Sequence, residues 1–188
     1  MSDIYFNFDH TDSLQGMAPP DIDGDGFGNA SLPSQLAGQG MYIIANVETN
    51  NRYVGISTDL ARRFKDRLPT VTELGLSSET MSKIVVWWGQ VAIKNSGENR
   101  STNVTSYRGP LNVMLDNVSV NLERLLVRFV LTHLTRSGDH ATVSNNVYAK
   151  ESYMNETGHA VTVHFVSARN SEFDAYNDDV VWGVNESW

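Results

Sequence analysis

Apolar and polar positions along the chain fall into a few recognisable patterns. In residues 40–67, GMYIIANVETNNRYVGISTDLARRFKDR, two short apolar runs, MYIIANV and RYVGI, flank the polar segment ETNN. Runs of strand length around a short polar stretch predict a β-hairpin. After the polar step Ser57-Thr58-Asp59, Leu60, Phe64 and Leu68 repeat every four positions. This predicts a short helix over 59–68, capped by Asp59 or Thr58 and ended by Pro69. Residues 70–82 are weakly patterned and suggest a second short helix. The run IVVWWGQVAI at 84–93 is β-rich and predicts a central strand of the same sheet. Residues 95–109 are polar and read as a long loop reaching toward a substrate. Leu122, Leu125, Leu126, Phe129, Val130 and Leu134 form one broad apolar face, so the strongest helix is expected over 118–135, started by Asn117 or Ser119. The partly alternating AVTVHFVSA at 160–168 suggests another strand. The closing VVWGVNESW fits either a final strand or a docked extension.

At 188 residues the chain fits one domain with embellished ends. The expected division is an acidic leader over 1–39, a domain over 40–150, and an acidic extension over 151–188 packed on that domain. The leader holds Pro19-Pro20, Pro33 and the run Asp21-Ile22-Asp23-Gly24-Asp25-Gly26. That run opens like a calcium loop, but its twelfth position is Leu32 where such loops place a bidentate Glu. An ordinary polar turn is the simpler reading.

The formal charge of -8 argues against a nucleic-acid partner until its distribution is read. Residues 1–39 hold six Asp and no Lys or Arg, and residues 151–188 hold seven acids and one Arg. The middle carries thirteen basic and nine acidic residues. Phosphate attraction depends on the local field, so the middle suits DNA or RNA while the ends repel it. There is no cysteine, which excludes disulfides and thiolate metal sites and fits a cytoplasmic protein. No run approaches the roughly 20 apolar residues of a membrane span, and MSDIYFNFDH does not read as a secretion signal.

The segment 40–67 resembles the front half of the GIY-YIG nuclease domain. The two name-giving triplets fall on Gly40-Met41-Tyr42 and Tyr53-Val54-Gly55, and the arginine of the first helix falls on Arg63 in DLARRF. Further on, VNLERLLVRFVL resembles the helix that carries the family's metal-binding glutamate, at Glu123. An asparagine past that helix has Asn145 or Asn146 as its counterpart. Many relatives carry His or Tyr four residues past the arginine, where this chain has Arg67. The resemblance implies an α/β fold, a small mixed or antiparallel sheet packed by helices. It also implies a divalent-metal-dependent endonuclease, with DNA the first candidate substrate and RNA the second.

Such chemistry needs a base near the attacking water, positive charge at the nonbridging oxygens and help for the leaving oxygen. The resemblance assigns Glu123 to Mg²⁺, with Mn²⁺ as an alternative ion, and Arg63 to the scissile phosphate. It gives the tyrosines the water, with Tyr53 favoured as base and Tyr42 as orienting group. Arg52, Arg62, Lys65, Arg67, Arg100 and Arg108, with Asn145 and Asn146, are candidate substrate contacts. Trp87 and Trp88 are adjacent in a strand and so point to opposite faces, one to the core and the other to a nucleobase or a helix. Taken singly, each of these residues has a plain structural reading. The combination carries the argument: two tyrosines eleven apart, a glycine, and an arginine ten beyond the second tyrosine. The alternative is a catalytically silent scaffold of the same fold that binds a protein or nucleic-acid partner, or a second copy of itself.

Overall fold

The computed structural model describes residues 2–13, 38–67, 74–75, 79–104, 112–127, 130, 142–143, 161–167 and 179–182. Two α-helices, a short 3-10 helix (Met81–Lys83) and ten strands are described: β1 (Ser2–Ser13), β2 (Gly40–Asn46), β3 (Asn51–Ser57), α1 (Leu60–Arg67), β4 (Ile84–Lys94), β5 (Thr102–Asn103), β6 (Asn112–Leu115), β7 (Val118–Asn121), α2 (helical over 122–127 and at 130), β8 (Thr142–Val143), β9 (Val161–Ser167) and β10 (Asp179–Trp182).

The expected hairpin forms in the register the sequence pattern requires. Tyr42 faces Gly55 and Ile44 faces Tyr53 across β2 and β3. Asn46 organises the turn. Its Oδ1 accepts from the backbone N–H groups of Glu48 and Thr49, while its Nδ2 donates to the Leu74 carbonyl at 2.7 Å. Asn50 takes the left-handed conformation, at φ 58°, that returns the chain to β3. Asp59 caps α1 by accepting from the Arg62 N–H at 3.0 Å.

Eight strands form one mixed sheet, in the order β10-β9-β1-β4-β2-β3-β8 with β5 against the end of β4. The β1–β9 and β3–β8 pairs are parallel and the others antiparallel. Strand β4 is long enough to pair with β1 on one side and, on the other, with β2 and then β5. The coarse α/β class is as expected, but the sheet is larger than the three strands anticipated. Residues assigned to a leader and to an extension lie inside it: β1 sits between β4 and β9. The alternation in IYFNF explains this, because Ile4, Phe6 and Phe8 are buried while Tyr5 and Asn7 are half-buried.

One face of the sheet builds the hydrophobic core. Ile4, Phe6, Met41, Ile43, Val54, Ile56, Trp87, Val91, Val163 and Phe165 pack there with Leu122, Leu125, Leu126, Val127 and Val130 of α2. The helix expected over 118–135 begins later than anticipated. Val118–Asn121 is instead a strand paired with Asn112–Leu115, and the two meet at Asp116-Asn117, both at positive φ. A tight two-residue turn of that conformation suits Asp and Asn, and the alternating Val118 and Val120 suit a strand. Asn121 then caps α2, its Oδ1 accepting from the Arg124 N–H at 2.9 Å. The run Asp21–Asp25, read as a polar turn that opens like a calcium loop, lies outside the described residues.

Candidate functional site

The second face of the sheet carries the candidate site. Tyr42, Tyr53 and Gly55 share this face by the β2–β3 register, and Trp88 joins them as the β4 partner of Tyr42. The Tyr42 ring lies flat over Gly55. A Cβ built there would meet the Tyr42 hydroxyl oxygen at 2.4 Å and its Cζ at 2.5 Å. Glycine at 55 is therefore what lets the phenol cross to β3. The two tyrosine rings then sit with centroids 6.1 Å apart.

Tyr42 is buried, at 1% exposure, whereas Tyr53 is half-buried. The Tyr42 hydroxyl loses its proton only far above the ordinary phenol range. Burial is the largest cause, and the charge of Tyr53 adds to it. Arg63 pulls the other way, and Glu123 pushes up again. A hydrogen bond between the two phenols favours the protonated Tyr42 as well. Three residues, one each from β3, α1 and α2, thus influence the ionisation of the Tyr42 hydroxyl on β2. With Tyr42 these are the four residues expected from the sequence to carry the chemistry. Arg63, the fourth residue of α1, and Glu123, the second of α2, are themselves half-buried.

No family model, curated protein or solved structure matches the chain.

The remaining candidate contacts divide. Arg62 and Arg100 are exposed, as a phosphate contact requires. Arg52 is not: it is buried at 3% exposure, on the core parity of β3 and thus opposite Tyr53. The expectation that it meets substrate is corrected by strand alternation, since neighbours at 52 and 53 cannot share a face. The side chains of Lys65 and Arg67 lie outside the described set, as do residues Arg108, Asn145 and Asn146. Trp87 belongs to the core and Trp88 to the site face, the division expected for adjacent strand positions.

Among the described residues no three His, Asp or Glu side chains gather as a metal cluster. A Mg²⁺ site does not require one. Mg²⁺ keeps several waters and is commonly held by one or two carboxylates plus substrate phosphates. The half-buried Glu123, whose charge is felt at the Tyr42 hydroxyl, fits that minimal donor set. Among the described residues no helix is long and apolar enough to cross a membrane.

Sequence reading missed one residue on this face. His10 is exposed and stacks on Trp88, with ring centroids 5.4 Å apart. It arrives there through an irregularity in β1, where the pairing with β4 shifts between Asn7 and His10. A bulge of this kind cannot be read from composition, although Gly89 was a signal. A Cβ at 89 would come within 1.8 Å of the Asn7 carbonyl oxygen.

Proposed function

We propose that the chain is a metal-dependent endonuclease of GIY-YIG type that hydrolyses phosphodiester bonds, with DNA as the expected substrate and RNA as the second candidate. The observation that supports it is the pairing of the Tyr42 and Tyr53 rings across β2 and β3, 6.1 Å between centroids, with the charges of Arg63 and Glu123 near enough to be felt at the Tyr42 hydroxyl. Tyr42 is buried and hydrogen-bonded to Tyr53, which suits a positioning role and leaves the half-buried Tyr53 as the group that orients or deprotonates the attacking water. Arg63 offers its planar fork to the nonbridging oxygens, where charge builds in the transition state. Glu123 would hold Mg²⁺ or Mn²⁺, which when bound polarises the phosphate and eases departure of the leaving oxygen.

One observation favours the scaffold reading: the near-complete burial of Tyr42 suits a structural phenol. The two readings separate in one assay. Plasmid, branched DNA and RNA are incubated with the protein in Mg²⁺, in Mn²⁺ and in EDTA. The nuclease reading expects products with either ion and none with EDTA. Intact substrates under every condition would refute it.

A further inference from the structure

We propose that His10, backed by Trp88, is a stacking subsite for a nucleobase next to the scissile phosphodiester. The inference rests on the nuclease reading and names a part of the same binding surface that carries none of the chemistry.

The placement of His10 depends on three features. Strand β1 shifts its register against β4 between Asn7 and His10, which turns His10 onto the site face. Such bulges re-aim side chains and gather beside active sites. Gly89 is the residue that permits it, since any side chain there would run into the β1 backbone at Asn7. Trp88 then backs the imidazole at 5.4 Å with the planes inclined by only 26°. The Trp88 indole Nε1 is buried with no hydrogen-bond acceptor among the described residues, so the ring contributes a surface rather than a polar contact.

His10, Trp88, Tyr42 and Gly55 lie in one row across β1, β4, β2 and β3. His10 is thus two strand spacings, about 10 Å, from Tyr42 along the sheet. That is too far for a proton transfer at the scissile group and suits a neighbouring nucleotide of the same strand. The charges nearby decide which part of that nucleotide is met. Asp9 and Asp12, on either side of His10, are both exposed, and their carboxylates disfavour a phosphate. A base, which offers a neutral π-face, stacks on the outer side of the imidazole instead.

The test is an abasic scan. Dye-labelled DNA forks, each with one nucleotide made abasic, are titrated by fluorescence anisotropy in EDTA against wild type, His10→Ala and His10→Phe. Base–aromatic stacking predicts that one abasic position weakens wild-type binding about tenfold. His10→Ala should bind the intact fork about tenfold more weakly and lose that positional penalty. His10→Phe, which keeps a flat ring, should restore both. An equal abasic profile for wild type and His10→Ala would overturn the proposal. Cleavage in Mg²⁺ is read separately. A His10-dependent penalty without cleavage refutes the nuclease reading and leaves the subsite. Cleavage with no effect of His10 refutes the subsite alone.

Discussion

Gly55→Ala is the substitution whose effect the structure specifies most closely. The new methyl would lie 2.4 Å from the Tyr42 hydroxyl oxygen, 2.5 Å from Cζ and 2.9 Å from Cε1. All three are well inside contact distance. Tyr42 has few ways to retreat, because its ring is stiff and buried, with Trp88 on one neighbouring strand and Tyr53 beyond Gly55 on the other. Overpacking a buried site costs about 1–3 kcal/mol. For a chain of this size a loss of ~2 kcal/mol lowers Tm by roughly 4–8 °C. The tilt forced on Tyr42 also breaks its bond to Tyr53, and a displacement on the order of 1 Å at a catalytic group can reduce turnover about 100-fold. Thermal unfolding by circular dichroism and single-turnover cleavage would report the two effects. Pairing the change with Tyr42→Leu, which removes the phenol, should recover much of the lost Tm while cleavage stays low. An unshifted Tm and full cleavage in Gly55→Ala would show that the phenol does not lie over residue 55.

Three further outcomes are expected. Arg63→Ala should slow cleavage about 100- to 1,000-fold, the usual loss when a transition-state charge partner is removed, with Arg63→Lys recovering only part; near-normal rates in purified Arg63→Ala would reject that role. In alkali, the Tyr42 phenol is held protonated above its unfolded value near 10. The stability it contributes is therefore present below about pH 10 and is lost as pH rises beyond it. Absorbance titration at pH 10–12 should find that unfolding releases one more tyrosine to ionise in wild type than in Tyr42→Phe, whereas an equal change in the two proteins would contradict the burial. Gly89→Ala should destabilise the protein, because a Cβ at 89 would run into the Asn7 carbonyl oxygen; a urea midpoint unchanged from wild type would count against the close approach of β1 to β4 there.

How far the sequence reveals this molecule differs by element. The hairpin, α1 and β4 were legible because their signals are local: apolar runs around a polar turn, a capped four-residue repeat, and a β-rich stretch. Strand β1 was obscured by its acids, which drew attention to charge while Ile4, Phe6 and Phe8 carried the alternation. The β6–β7 hairpin was absorbed into the helix that follows it. The Leu-rich face of α2 is strong enough to extend a helical reading backwards over Val118 and Val120, past the Asp116-Asn117 turn. Tyr42, Tyr53, Arg63 and Glu123 are nameable from the resemblance, but the stacking of Tyr42 over Gly55 and the reach of the Arg63 and Glu123 charges to its hydroxyl depend on tertiary structure, since α1 and α2 come from distant parts of the chain. The burial of Arg52 follows from strand parity, which a count of basic residues ignores. His10 needed the register shift to be seen.

The most direct test of the account is the single-turnover cleavage rate, in Mg²⁺, of the Arg63→Ala/Glu123→Gln double variant beside its two single variants and wild type. Groups that act together at one reacting centre are strongly non-additive, because losing either already disables the unit. The account predicts that each single variant is severely slowed and that the double variant is only a little slower than the worse of the two. Two modest losses that multiply in the double variant, or wild-type rates in either single, would contradict a shared catalytic site.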